Sequence, residues 1–229
     1  LKKIAIIVAG GSGQRMNSAV AKQFLLLQNK PILFHTLTAF KKADPSIELI
    51  VVLPNNQIDY WHELCVKYPE ILDLTPHRIV EGGETRFHSS KNAIESIQTS
   101  EDVLVAIHDG VRPLIEPHTI NKAFQCANDL GNCVVAVSSK DSIRIWNESK
   151  KAFKSVLRDY VKIIQTPQIF SLKTLKKAFD QDYSPGFTDD ASVVEAYGEV
   201  IHLTEGEYTN IKITTPEDLL VAENIRQPK

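Results

Sequence analysis

The sequence predicts an α/β protein built on a doubly wound, mostly parallel sheet. Short apolar runs rich in β-branched residues recur along the chain, segments with helical patterning separate them, and the runs stop at polar or proline residues. In such sheets ligands bind beyond the carboxyl ends of the strands, where the connecting loops gather.

The first run, Ile4-Ala5-Ile6-Ile7-Val8, is continuously apolar, as expected of a strand buried on both faces. Leu49–Leu53 ends at Pro54, Val103–Ile107 at His108-Asp109, and Cys133–Val137 at Ser138. Helices are expected over Ile32–Lys42, Gln57–Lys67, Ser89–Ile97 and Pro117–Asn128, which completes the βαβα alternation. Asp141 to Arg158 breaks that rhythm. Ser142–Trp146 and Ala152–Val156 alternate polar and apolar around the turn residues Asn147–Lys150, predicting a two-stranded antiparallel arm. A lone hairpin exposing Ile145, Trp146 and Phe153 is marginal in water. It therefore packs back on its own domain or reaches onto a partner subunit. The expected organisation is a single domain, residues 1–229, with residues 139–158 as the arm.

Composition narrows the function classes. The chain has 229 residues, 43% of them hydrophobic and 24% charged, and a formal net charge of -2. That length suits one sizeable domain. The charge offers no global attraction for nucleic acid or a membrane surface, so an anion site has to be local. No apolar run approaches the roughly 18 residues of a membrane span, and no signal-peptide core follows Lys2-Lys3. Cys65, Cys126 and Cys133 are odd in number and lack metal-ligand spacing, which predicts reduced thiols in a cytoplasmic protein.

The most informative segment follows the first strand: Ala9-Gly10-Gly11-Ser12-Gly13-Gln14-Arg15-Met16, then Lys22. Glycines here bare the backbone N–H groups to a polyphosphate, and Arg15 and Lys22 supply positive charge. A dinucleotide fingerprint is a poor match, because its third glycine would fall at Met16. A P-loop is excluded, because Lys22 lies in Ala21-Lys22-Gln23. A tight turn with two solvated cations is the plain alternative.

Further along, Glu81-Gly82-Gly83-Glu84-Thr85-Arg86-Phe87-His88-Ser89 puts two glycines before a helix. Ser89 either caps or lines that helix, or reads a base edge together with the bared backbone. His108-Asp109-Gly110-Val111-Arg112-Pro113 sets an acid and an arginine at a strand end, which suits a site binding hydroxyls, metal and phosphate together; a turn-forming Asx at a strand end is the plain alternative for Asp109. His108 reads as structural. Thr188 is expected to cap the helix that follows it, and Thr215-Pro216 to open the last helix. Lys212 falls in the alternating stretch Asn210–Thr214, expected as a strand, where an inward cation would need a ligand.

These residues carry a resemblance. The segments AGGSGQRM with Lys22-Gln23, GGETRFHS, HDGVRP, TPQIF, TDDAS and NIKITTPEDL occur in the order found in methylerythritol phosphate cytidylyltransferases, over nearly the whole chain. The resemblance implies a Rossmann-like nucleotidyltransferase that joins CTP to 2-C-methyl-D-erythritol 4-phosphate and releases diphosphate. It implies that Arg15, Lys22 and Lys212 are catalytic and that Ala9, Gly10, Gly11, Gly83 and Ser89 shape the cytidine pocket. Asp109, Arg112, Ser142, Arg158, Thr166 and Thr188 match positions associated with the alcohol phosphate. Ser142 and Arg158 would come from the neighbouring subunit's arm, making a homodimer. Magnesium would arrive with the triphosphate, with no dedicated metal cage and no nucleic acid or membrane partner.

Some positions depart from the family's pattern. Val8-Ala9-Gly10-Gly11 replaces a frequent Pro-Ala-Ala-Gly, Ala21 precedes Lys22 in place of proline, and Ser142 replaces threonine. Ala-Gly-Gly and His-Asp-x-Val-Arg-Pro also suit ribitol 5-phosphate cytidylyltransferases, whereas Thr188–Ser192 and Thr215–Asp218 look closer to the methylerythritol branch. A non-catalytic nucleotide-binding regulator is the alternative from another class, and it has no need of Arg15, Lys22 and Lys212 together.

Overall fold

A computed structural model describes residues 1–11 and 20–226. The elements run β1 (Lys2–Val8), β2 (Leu26–Leu27), β3 (Lys30–Pro31), α1 (Ile32–Ala43), β4 (Glu48–Leu53), α2 (Asn55–Lys67), α3 (Glu70–Leu74) and β5 (His77–Glu81). They continue with α4 (Arg86–Glu95), β6 (Val103–Asp109), α5 (Pro117–Leu130), β7 (Asn132–Ser138), β8 (Ile143–Asn147), β9 (Ala152–Val156) and β10 (Lys162–Ser171). The chain closes with α6 (Leu172–Ala178), α7 (Asp190–Ala196), β11 (Leu203–Glu205) and α8 (Pro216–Arg226).

Among the described residues, seven strands form the main sheet in the order β11-β7-β10-β6-β1-β4-β5. β10 runs antiparallel between β6 and β7, and the other pairings are parallel. The expected doubly wound, mostly parallel sheet is what the chain forms. Its alternating side chains explain why. Ala5 and Ile7 of β1 pack with α1, α2 and α5 on one face, while Ile4 and Ile6 pack with α4, α6 and α7 on the other. Full burial of one such aliphatic side chain contributes about 1.5–3 kcal/mol, so a continuously apolar strand is favoured only where both faces are covered.

Strand registers set where the site can lie. Val8 pairs with both Val52 and Asp109, and Leu53 pairs with Glu81, so β6, β1, β4 and β5 finish almost level. The loops that follow them converge at one edge of the sheet. On the other side of β6, the β10–β7 register shifts between Ile164 and Gln168. Pro167 falls in that shift, where it interrupts no ladder bond.

Two expectations fail. Asn210–Thr214 is not a strand: Ile213 is buried with Leu27, Val111 and Leu114, and its N–H donates to the Val111 carbonyl at 2.9 Å. The alternation there reflects packing of a loop, not pairing in a sheet. Thr188 is not the cap of α7. Asp189 is, its carboxylate accepting from Ser192 N while Ser192 Oγ accepts from Asp189 N, a capping box. The arm forms as expected: among the described residues β8 and β9 pair only with each other, and Trp146 lies edge-on to Phe153 across the pair, 5.1 Å between ring centroids.

Candidate active site

The converging loops line a cleft. Val8, Ala9, Gly10 and Gly11 continue β1, Gly83 to Arg86 follow β5, and Asp109 ends β6; Lys22, Ser89 and Lys212 reach in from beside them. Arg15 lies outside the described residues.

The glycine side of the cleft is built from close backbone approaches. A β-carbon on Gly11 would stand 3.2 Å from Lys22 Nζ, so the missing side chain leaves room for the lysine to lie over the loop. A β-carbon on Gly83 would stand 2.4 Å from His88 Cβ, a distance no residue tolerates. Ser89, nearly buried in the first turns of α4, accepts from Gly83 N at 3.1 Å. Thr85, not Ser89, caps α4, so the helix starts at Arg86, three residues earlier than expected. Gln23 is fully buried, and its Nε2 donates to the Ala9 carbonyl at 2.7 Å and also to Gln57 Oε1. The Lys22 turn and the glycine loop are thereby tied together.

The opposite wall is organised by Asp109. Its Oδ2 lies 3.0 Å from Arg112 Nε and 3.2 Å from Lys212 Nζ, and its Oδ1 lies 3.6 Å from the Arg86 guanidinium. Burial alone would raise the carboxyl, but Arg86, Lys212 and Arg112 outweigh it and hold Asp109 well below the usual carboxylate range. Beneath it a hydrogen-bonded chain fixes the turn. Asp109 N donates to Thr166 Oγ1 (3.1 Å), Thr166 Oγ1 meets His108 Nδ1 (3.0 Å), and His108 Nε2 meets the Arg112 carbonyl (3.2 Å). A carbonyl accepts only, so Nε2 carries the proton and Nδ1 accepts from the threonine hydroxyl. Burial pushes the His108 imidazole down to about 4, which keeps it neutral in this role.

The expected site residues therefore divide. Ala9, Gly10, Gly11, Lys22, Gly83, Ser89, Asp109 and Lys212 meet at one cleft. Arg112 stands behind Asp109 and also donates to the Asn210 carbonyl at 2.8 Å. Thr166 is buried with its hydroxyl committed between Asp109 and His108, so it supports the floor and is not open to a ligand there. Thr188 is exposed just before α7. Ser142 and Arg158 are exposed at the two ends of the arm and are not among the described residues that line this chain's own cleft; Arg158 reaches the Lys140 carbonyl at 3.4 Å. Among the described residues, no cluster of three or more His, Cys, Asp or Glu side chains is arranged to hold a metal.

The sequence model of one family, described as 2-C-methyl-D-erythritol 4-phosphate cytidylyltransferase (IspD), matches residues 3–227. The chain belongs to that family. A cytidylyltransferase of this name from Bacteroides thetaiotaomicron is 43% identical over 96% of this chain and 98% of its own. One from Bacteroides fragilis is 44% identical over 96% and 97%. The crystal structure of a 4-diphosphocytidyl-2C-methyl-D-erythritol synthase from Anaerococcus prevotii superposes with a TM-score of 0.82 at 29% identity, covering 99% of this chain and 96% of that one. The family match falls on the methylerythritol branch of the two acceptor branches weighed from the sequence.

Within this cytidylyltransferase framework, sequence reasoning missed Arg86 and Gln23. Arg86 carried a usable signal: a cation in the first turn of a helix opposes the helix dipole, so it needs a partner from elsewhere. That partner is Asp190 of α7, to which Arg86 Nη1 donates.

Proposed function

We propose that the protein transfers the cytidylyl group of CTP to 2-C-methyl-D-erythritol 4-phosphate, giving 4-diphosphocytidyl-2-C-methyl-D-erythritol and diphosphate. The observation that carries this reading is that Lys22, above the glycine loop, and Lys212, beside Asp109, line the same cleft. The acceptor phosphate oxygen forms the new bond to the α-phosphorus in line as the bond to the β-phosphate oxygen breaks. Both reactants are anions, so the barrier falls by charge neutralisation and alignment more than by proton transfer. Two unit charges 4 Å apart interact by about 4 kcal/mol at an effective dielectric near 20, so a few placed cations account for a large effect.

In this reading Lys22 holds the triphosphate and the leaving diphosphate, joined on sequence grounds by Arg15, and Lys212 bridges the two reacting phosphates. Ala9, Gly10, Gly11, Gly83 and Ser89 receive the cytidine. Asp109 accepts from an acceptor hydroxyl, with Arg112 and Thr166 holding it in place and Thr188 at the margin. CTP enters as its magnesium complex. Asp109 is already committed to three cations, so the ion is carried by the phosphates and not by a cage of side chains.

The protein acts as a homodimer in which each arm completes the neighbouring site with Ser142 and Arg158. Support comes from the apolar surface of the arm and its root, where Ile145, Trp146, Phe153, Leu157 and Tyr160 are all exposed. It acts in the cytoplasm, where Cys65 and Cys133 persist as buried free thiols. The test is diphosphate release from magnesium CTP with methylerythritol phosphate or ribitol phosphate. Turnover with the first is expected, and Lys22→Ala is expected to lower it about 10²-fold, as for loss of one oxyanion donor. A preference for ribitol phosphate, or release with neither acceptor, would overturn the reading.

A further inference from the structure

Arg86 connects parts of the fold that the proposed chemistry needs to keep in register. It opens α4 directly after the Gly82-Gly83 loop on the nucleotide side. Its guanidinium reaches across to Asp190, which is 1% exposed and whose other oxygen accepts from Ser90 Oγ at 2.7 Å. The same guanidinium lies 3.6 Å from Asp109 Oδ1. The start of α7 is in turn fixed to β10, because Gln168 donates to Asp189 Oδ2 and accepts from Ala191 N, both at 2.8 Å. One planar fork thus joins the nucleotide loop, α7 and the end of β6.

The division of contacts on Asp109 gives this connection a chemical consequence. Arg86 takes Oδ1, while Arg112 and Lys212 share Oδ2. The Arg86 charge facing Oδ1, together with Arg112 on Oδ2, favours the rotation in which Lys212 meets one oxygen only. Loss of the Arg86 charge would leave Oδ1 free to turn towards Lys212 and compete with the phosphates for it. A guanidinium suits this task, since its donors span two carboxylates at once; an ammonium is a point charge and serves one. Burial works against the charge of Arg86, but Asp190 and Asp109 more than offset it and raise its pKa above the ordinary guanidinium value. Arg86 remains a cation at any pH at which the protein functions.

We propose that Arg86 is a positioning residue for cytidylyl transfer, bridging Asp190 and Asp109 so that Lys212 is presented to the reacting phosphates. The inference rests on the cytidylyl-transfer reading above. Removing Arg86 alone strands Asp190 in the interior, so the informative variant is Arg86→Gln with Asp190→Asn, which removes both charges of the pair.

The double variant is expected to keep the wild-type circular dichroism spectrum and to melt within a few degrees of wild type. Its kcat is expected to fall about 10²-fold, the scale of a 1 Å misplacement, with KM for CTP changed less than about 3-fold. Arg86→Lys keeps a cation against Asp190 and decides the matter if the double variant does not fold; its kcat is expected to fall about 10-fold. Wild-type kcat in either folded variant would overturn the assignment. So would a loss of kcat that tracks loss of folded protein. A wild-type protein that releases no diphosphate would instead sink the functional reading itself, and the two failures are told apart by that control.

Discussion

Lys22 lies against the bare Cα of Gly11: a β-carbon at that position would stand 3.0 Å from Lys22 Cε and 3.2 Å from Nζ. The glycine is thus a seat for the lysine. The atoms it would crowd are the far end of a flexible side chain, so the lysine and not the backbone would yield.

Gly11→Ala is therefore expected to displace the ammonium and leave the fold intact. Turnover should fall at least about 10-fold, with a melting temperature within a few degrees of wild type. Unchanged turnover in a diphosphate-release assay would show that Lys22 does its work from elsewhere.

The exposed positions of Ser142 and Arg158 lead to a complementation experiment. Arg158→Ala should weaken binding of the alcohol phosphate while leaving CTP affinity largely intact, as read by calorimetry. Lys22→Ala should fail for a different reason. Subunits of the two variants, unfolded and refolded together, should regain part of the activity, because a mixed dimer contains one site with both residues intact. No recovery in a demonstrated mixed dimer would mean that the arm does not cross between subunits.

Thr166→Val keeps the shape of the side chain but removes the hydroxyl that accepts from Asp109 N and meets His108 Nδ1. Buried groups left without partners cost about 1–3 kcal/mol. The urea midpoint should drop accordingly, and kcat with it, since Asp109 loses its support. A variant with normal stability would show that this chain is dispensable.

Acid should destabilise the protein before it protonates Asp109. Burial, with Arg226 close by, lowers the His35 imidazole to about 4, and burial lowers His108 to about 4 as well, against an ordinary value of 6.5. Between these values the unfolded chain binds more protons than the folded one, so stability falls as pH drops from about 6.5 towards 4. Each group accounts for about 3 kcal/mol. The urea midpoint should decline through that window, and His35→Gln should flatten the decline. Asp109, held well below the usual carboxylate range, adds stability that is lost only at still lower pH. A midpoint that does not change between pH 6.5 and pH 4 would contradict this account.

The parts of the fold legible in the sequence were those where one short stretch contains its own reason. Ile4–Val8 announced a strand covered on both faces, and helices α1, α2 and α5 began within two residues of where their patterns did. The arm was legible from its alternation alone. What escaped depended on residues far apart in the chain. β10 was hidden because Pro167 interrupts its pattern and because its place between β6 and β7 is fixed only by pairing. Asn210–Thr214 imitated a strand because Asn210 and Ile213 are buried by packing against Thr166 and Val111, which no local periodicity reveals. In the site, the glycine loop, Lys22 and Asp109 were found from their motifs, while Arg86 escaped because its meaning lies in a carboxylate 104 positions away.

β10 leaves the root of the arm at the exposed Ile163 and Ile164 and reaches Thr166 under Asp109 only two residues later. β10 thus sets the root of the arm and the hydroxyl that supports Asp109 on one strand, with only two peptide units between Ile164 and Thr166.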